Sequence, residues 1–241
     1  MPPNATSAAQ LAFNDVGAWQ ILAGRIVAAA NETAALDRLF AEATTALQGC
    51  SVRGLVLPAG TITAAGLPQL CEQAHRLAGR ADALGIDLLF AGDVQVTDEW
   101  TPIQPIRESY MFGFSQGQFR IACAPRIVAP HRIRAHHLRG RVMLLGGRRV
   151  CAILATEVFA KGLREAVAAL DVDALIVLSH HPPTWRWDAA LRLVADAAAT
   201  LVVSCSKHPV ALDHDERTWE QRRLVRSPEL AIEELRLMRS T

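Results

Sequence analysis

The stretch Cys151–Ala160, CAILATEVFA, decides how this chain is read. Its first residues form an apolar run short enough for a buried strand, and the run stops at Ala155-Thr156-Glu157. Beyond it the spacing predicts a helix from about Ala160 to Leu170. Upstream, GRVMLLGGRRVCAILA reads as two strands joined at Gly146-Gly147, a strong hairpin signal. Downstream come an apolar strand, ALIVLS over 174–179, then a His-His-Pro-Pro loop, a helix from Trp187 to about Ala198 and the strand TLVVSCS over 200–206. Ser227-Pro228-Glu229 combines a capping serine with proline in the first turn, so a last helix is expected to run to about Met238.

The other half repeats the alternation. GRIVAAA at 24–30 reads as a strand and NETAALDRLFAEATTAL as a helix, with Leu36, Leu39, Phe40, Ala43 and Leu47 on one face. VRGLVLP at 52–58 and IDLLFAG at 86–92 read as strands. Between them Leu67, Leu70, Cys71, Ala74, Leu77, Ala78, Ala81 and Leu84 form a long amphipathic stripe. The centre is irregular, with a hairpin expected around Ser115-Gln116-Gly117. Strands alternating with helices around this centre predict α/β layers with mixed sheets, and ligands beyond the carboxyl ends of strands. Three such ends stand out: Pro58-Ala59-Gly60, Ala155-Thr156-Glu157 and Ser179-His180-His181-Pro182.

The chain has 241 residues, 51% of them hydrophobic, enough for one sizeable core. Residues 1–15 are expected to be a flexible N-terminal tail and 16–241 a single domain. Lys and Arg number 25 against 24 Asp and Glu, and aromatics are 5%. That balance argues against nucleic acid as a partner. No apolar run reaches a membrane span, and MPPNATSAAQ lacks the pattern of a secretory signal. Five scattered cysteines without a CxxC pair fit reduced thiols in a cytoplasm.

Three motifs give the arrangement a family likeness. The strand end LVLPAGTI, the segment IRAHHL (133–138) and the elbow ILATEVF are similar to the family patterns LPEG, R-K-x-H-L and I-C-x-E. DALIVLSHHP and RWDAALRLVADAAATLVVSCS resemble the strand, loop and helix that follow the elbow. Over residues 20 to 206 the chain resembles the nitrilase, or carbon–nitrogen hydrolase, superfamily. The resemblance implies a four-layer α-β-β-α sandwich; the C-terminal region departs from the family pattern, whose last strands are not evident, so a trimmed second sheet is expected. It also implies a Glu-Lys-Cys triad that attacks amides or nitriles through the thiol. That chemistry needs an activated nucleophile and a donor for the oxyanion. Here Ala59 stands where the glutamate would be, Ala135 where the lysine would be and Ala155 where the cysteine would be. Arg120 and Arg126 are alternative equivalents of the lysine. Glu157 matches the acid that follows the cysteine, with a structural role at the elbow, while His180 and His181 are placed at the pocket mouth.

Other chemistries fit less well. Cys151 lies four residues before Ala155, roughly 13 Å deeper in the sheet, and reads as a structural thiol. Cys205, with His208 three residues on, is the remaining thiol near a strand end. The histidines show neither HxxxH nor HExxH spacing, so neither metal nor cofactor is expected. Ser179 and Ser204 lack a GxSxG elbow. The arginines at 126, 132, 134, 139, 141, 148 and 149 suit solvated, salt-bridged edges, or else a face for an anion or partner. The expectation is a non-catalytic binding or regulatory protein, a pseudoenzyme whose vestigial pocket takes a small amide- or carboxylate-bearing ligand. By resemblance it is a homodimer or pairs with an active paralogue. Two alternatives stand beside it: a divergent hydrolase with relocated catalytic groups, and alanines introduced to trap a substrate.

Overall fold

A computed structural model describes residues 19–26, 37, 40–41, 54–96, 106–127, 132–180, 185–198, 201–205, 210–212, 219–226 and 230–237. The first sheet contains β1 (Trp19–Ile26), β2 (Gly54–Val56), the short β3 (Thr63–Ala64), β4 (Asp87–Val96), β5 (Ile106–Ser115) and β6 (Gln118–Pro125). It is completed by β12 (Trp219–Arg226) and β13 (Leu230–Leu237), in the order β12-β13-β1-β2-β4-β5-β6, with β3 paired to β4. The second sheet comprises β7 (Val142–Leu145), β8 (Arg148–Leu154), β9 (Ala174–Leu178), β10 (Leu201–Cys205) and β11 (Val210–Leu212), in the order β11-β10-β9-β8-β7. The helices whose bounds fall within the described residues are α1 (Leu67–Ala83), α2 (Ala135–Leu138), α3 (Leu163–Ala168) and α4 (Trp185–Ala198), and Asp37, Phe40 and Ala41 are helical as well.

Three apolar seams separate four layers. Alternate residues of a strand face opposite ways, and β4 shows the result. Leu88 and Phe90 join Leu70, Ala74, Leu77 and Ala81 of α1 in an outer seam. Leu89 and Ala91 point the other way, into a seam between the two sheets with Met111, Val150, Ala152, Ile176 and Leu178. The far faces of β8 and β9 carry Cys151, Ile153, Leu175 and Val177 against Val167 of α3 and Leu191 and Val194 of α4. Every residue of β9 is buried, as befits a parallel strand covered on both faces. Each large side chain taken from water in these seams contributes about 1.5–3 kcal/mol.

The helix expected from the stripe at 67–84 forms as α1 and ends in a Schellman turn. Gly85, at φ 63°, donates to the Asp82 carbonyl and Ile86 to that of Ala81. The hairpins expected at Gln116-Gly117 and Gly146-Gly147 are both present. The helix expected after the elbow is shorter: a 3₁₀ turn fills Ala155–Phe159 and α3 starts only at Leu163.

The C-terminal segment departs from the expected helix. Ser227-Pro228-Glu229 lie outside the described residues, and the stretch expected to continue them as a helix is a strand. Leu230–Leu237 is β13, bonded antiparallel to β12 on one side and to β1 on the other. Ladder hydrogen bonds on both edges outweigh a good local helix start. Among the described residues the second sheet has five strands against the eight of the first, and the C-terminal segment extends the first sheet. Residues 1–15 and His181 lie outside the described residues.

Candidate ligand site

The chain leaves β2, β6, β8 and β9 at one end of the sandwich, around a cavity of about 520 Å³. Ala59 follows β2, Ala155 and Thr156 follow β8, His180 follows β9 and Arg126 follows β6. Ser109 of β5 completes the polar wall, and Leu154 and Leu178 the apolar one.

Asp93 organises the polar side. It sits on β4 directly opposite Ser109 in the β4–β5 ladder and is fully buried. Its Oδ1 accepts the Ser109 hydroxyl at 2.7 Å and its Oδ2 pairs with Nε2 of His180, also at 2.7 Å. Both carboxylate oxygens are therefore engaged by residues of the cavity wall, and the imidazole is held in one orientation. Gly60 closes over the pair at φ 75°, where a Cβ would lie 3.1 Å from Cδ2 of His180 and 3.4 Å from Asp93 Oδ2. Only glycine suits both the conformation and the space. The Thr61 hydroxyl ties this loop back to the Pro58 carbonyl at 2.6 Å.

Arg126 enters from the end of β6, fixed by its backbone N–H to the Ser109 carbonyl at 3.2 Å. Its guanidinium has no hydrogen-bond or ion-pair partner among the described residues. The cavity thus offers a cation, an imidazole and two hydroxyls beside two methyl groups.

The elbow behind the cavity is held by Glu157, whose Oε2 accepts the Leu154 N–H at 2.8 Å and Nη1 of Arg141 at 2.6 Å. Its Oε1 accepts the Ile127 N–H at 2.5 Å, and Nη2 of Arg141 donates to the Pro125 carbonyl at 2.5 Å. Both members of this ion pair are buried. Cys151, on the far face of β8, is fully buried. Desolvation pushes its thiol up to about 12, with Arg141 opposing and Glu157 reinforcing the shift.

No family model matches the chain, and no curated protein matches it. Solved structures of an amidase from Nesterenkonia sp. AN1 do. A double mutant of that amidase in complex with acrylamide aligns over 91% of this chain and 90% of its own, with a TM-score of 0.59 at 16% identity. The crystal structure of an amidase from Nesterenkonia sp. aligns over 91% and 90%, with a TM-score of 0.57 at 15% identity. A cysteine-to-alanine mutant of the AN1 amidase, from the nitrilase superfamily, aligns over 90% and 89%, with a TM-score of 0.53 at 15% identity.

The chain has the nitrilase fold.

Within this nitrilase fold, three residues singled out from the sequence share the cavity: Ala59, Ala155 and His180. Ala135 does not line it. It begins the short α2 and packs on the seam beneath α3 and α4. Arg126, named as an alternative equivalent of the lysine, stands in the cavity wall instead. Glu157 turns into the elbow and lies outside the lining. The paired histidines His136 and His137 belong to α2, where Nδ1 of His137 accepts the Arg134 N–H at 3.1 Å. Sequence reasoning missed Asp93 and Ser109, and had Thr156 only as part of a strand end. The one available signal was an aspartate directly after the apolar run IDLLFAG. Among the described residues no group of three or more His, Cys, Asp or Glu side chains is placed to hold a metal, and no helix is long and apolar enough to cross a membrane.

Proposed function

We infer that this nitrilase-fold protein binds a small amide- or carboxylate-bearing ligand in its cavity and does not carry out thiol-based amide hydrolysis. The observation that carries the reading is the pair of methyl groups, Ala59 and Ala155, in the cavity wall at the two strand ends where the resemblance puts acid and thiol. Support for the ligand class comes from Arg126, His180 and Thr156 around the same space, which suit an acyl or carboxylate oxygen. The similar amidase from Nesterenkonia sp. AN1 has been solved with acrylamide and with butyramide. The test is incubation with a panel of amides, nitriles and short carboxylates, following ammonia release and heat of binding. Expected are binding without ammonia release, and at least tenfold weaker binding in Arg126→Ala, from about 1.5–3 kcal/mol for a hydrogen bond to a charged group. Turnover that iodoacetamide abolishes overturns the reading.

A second reading, a hydrolase with relocated groups, is favoured by the Asp93–His180 pair at the cavity. Ammonia release that ignores iodoacetamide but disappears in His180→Ala establishes it. Assembly as a homodimer, or with an active paralogue, belongs to the proposal too. Phe159, 63% exposed beside the elbow, supports it. Light scattering of the wild type against Phe159→Ser tests it.

A further inference from the structure

Outside the cavity, strand β6 makes two departures from regular pairing. The β5–β6 register is Met111↔Ala124, Gly113↔Ile121 and Phe114↔Phe119, so one extra residue enters β6 at each step. The first bulge sets Ala122 and Cys123 against the single residue Phe112, and Cys123 adopts φ 57°, a left-handed conformation that favours glycine. Regular alternation would turn Cys123 the same way as Ile121, into the seam between the sheets. The bulge reverses it. Ile121 and Ala124 face the inter-sheet seam, whereas Cys123 packs on the outer seam beneath α1. Cys71, from the second turn of α1, packs on the same seam, and His75 one turn on lies against Phe119 of β6 with ring centroids 4.7 Å apart, so α1 covers β6 here. Tyr110 flanks both. Both cysteines are partly exposed. A strained backbone that brings a second thiol to a first is an outlier pointing to a use.

We propose that Cys71 and Cys123 form a dithiol modification site that a small-molecule disulfide converts to an intramolecular disulfide, tying α1 to β6. One thiolate attacks the reagent, forming a mixed disulfide and releasing one small thiol. The second protein sulfur then attacks the first, closing the bridge and releasing the other small thiol. The protein loses two electrons and two protons, and the reagent gains both. Burial, then the neighbouring Cys71 thiol, pushes Cys123 up to about 12. One of the two sulfurs makes the first attack and the other resolves. The bridge would hold the strand end from which, three residues on, Arg126 enters the cavity. The site stands independently of what the cavity binds.

The experiment treats the reduced full chain with excess oxidised glutathione, quenches with acid, and maps digested peptides by mass spectrometry without reduction. The expected product is a Cys71–Cys123 cross-linked pair lacking two hydrogens, reversed by dithiothreitol, with a higher melting temperature than the reduced chain. Cys123→Gly suits the left-handed backbone, and in this variant glutathione should remain attached at Cys71. Stable glutathione adducts on the wild-type pair, preferential bridging through Cys50, Cys151 or Cys205, or an unmodified Cys71 in Cys123→Gly would each overturn the proposal.

Discussion

Gly60 shows how much of the site hangs on one missing side chain. Alanine there would have to adopt a left-handed backbone and press on the His180 ring. Gly60→Ala is expected to lose about 1–3 kcal/mol of stability in urea titration. The His180 ring resonances in its NMR spectrum should shift with the displaced ring. Glu157→Gln tests the elbow. The change leaves Arg141 buried without a counterion, and its expected cost is about 3–5 kcal/mol, read as a lowered urea midpoint. These residues differ in how visible they were beforehand. Glu157 and Ala155 could be placed because the strand and turn around them carry a local pattern. Asp93, Ser109 and His180 meet only because β4 pairs with β5 in one sheet while His180 arrives from the other. No local sequence pattern encodes such a meeting. Ala135 failed for the opposite reason. The letters IRAHHL fit a pattern, but the segment folds as a helix turned toward a different seam.

Among the elements, α1 was legible in outline because its apolar stripe repeats with helical spacing and Gly85 stops it. How closely it approaches the sheet was not. That distance is set at Gly92 on β4, where a Cβ would come within 2.6 Å of Ile62 Cγ1 and 2.7 Å of Leu70 Cδ1. Gly92→Ala should therefore push α1 and the Ile62 loop off the sheet and cost about 1–3 kcal/mol by overpacking, measurable as a lowered thermal midpoint. The C-terminal element illustrates the limit of local reasoning. Ser227-Pro228-Glu229 is a sound helix start, yet Leu230–Leu237 lies between two strands far apart in sequence, and pairing on both sides decides its form.

For the molecule as a whole, stability should fall in alkali. An unfolded cysteine titrates at about 8.5, whereas folded Cys151 and Cys123 are each pushed up to about 12, mainly by burial. As pH rises past the unfolded value, the unfolded chain gives up protons that the folded chain keeps. The stabilisation is complete below about 8.5 and is lost progressively toward about 12. Urea midpoints should fall as pH increases across that window, and Cys151→Ala should flatten part of the slope. The layered plan itself was legible, since the buried strands are short apolar runs and the helices carry stripes, whereas the strand order and the pairing across sheets were not. The clamp at the elbow has a last consequence. Glu157 and Arg141 gather the ends of β6 and β8 and the chain before β7 into one knot at the rim of the cavity. Walls moored this way cannot draw inward around an undersized guest. Under the proposed role such a chamber would read the size of a guest as well as its charge, because the room keeps its dimensions.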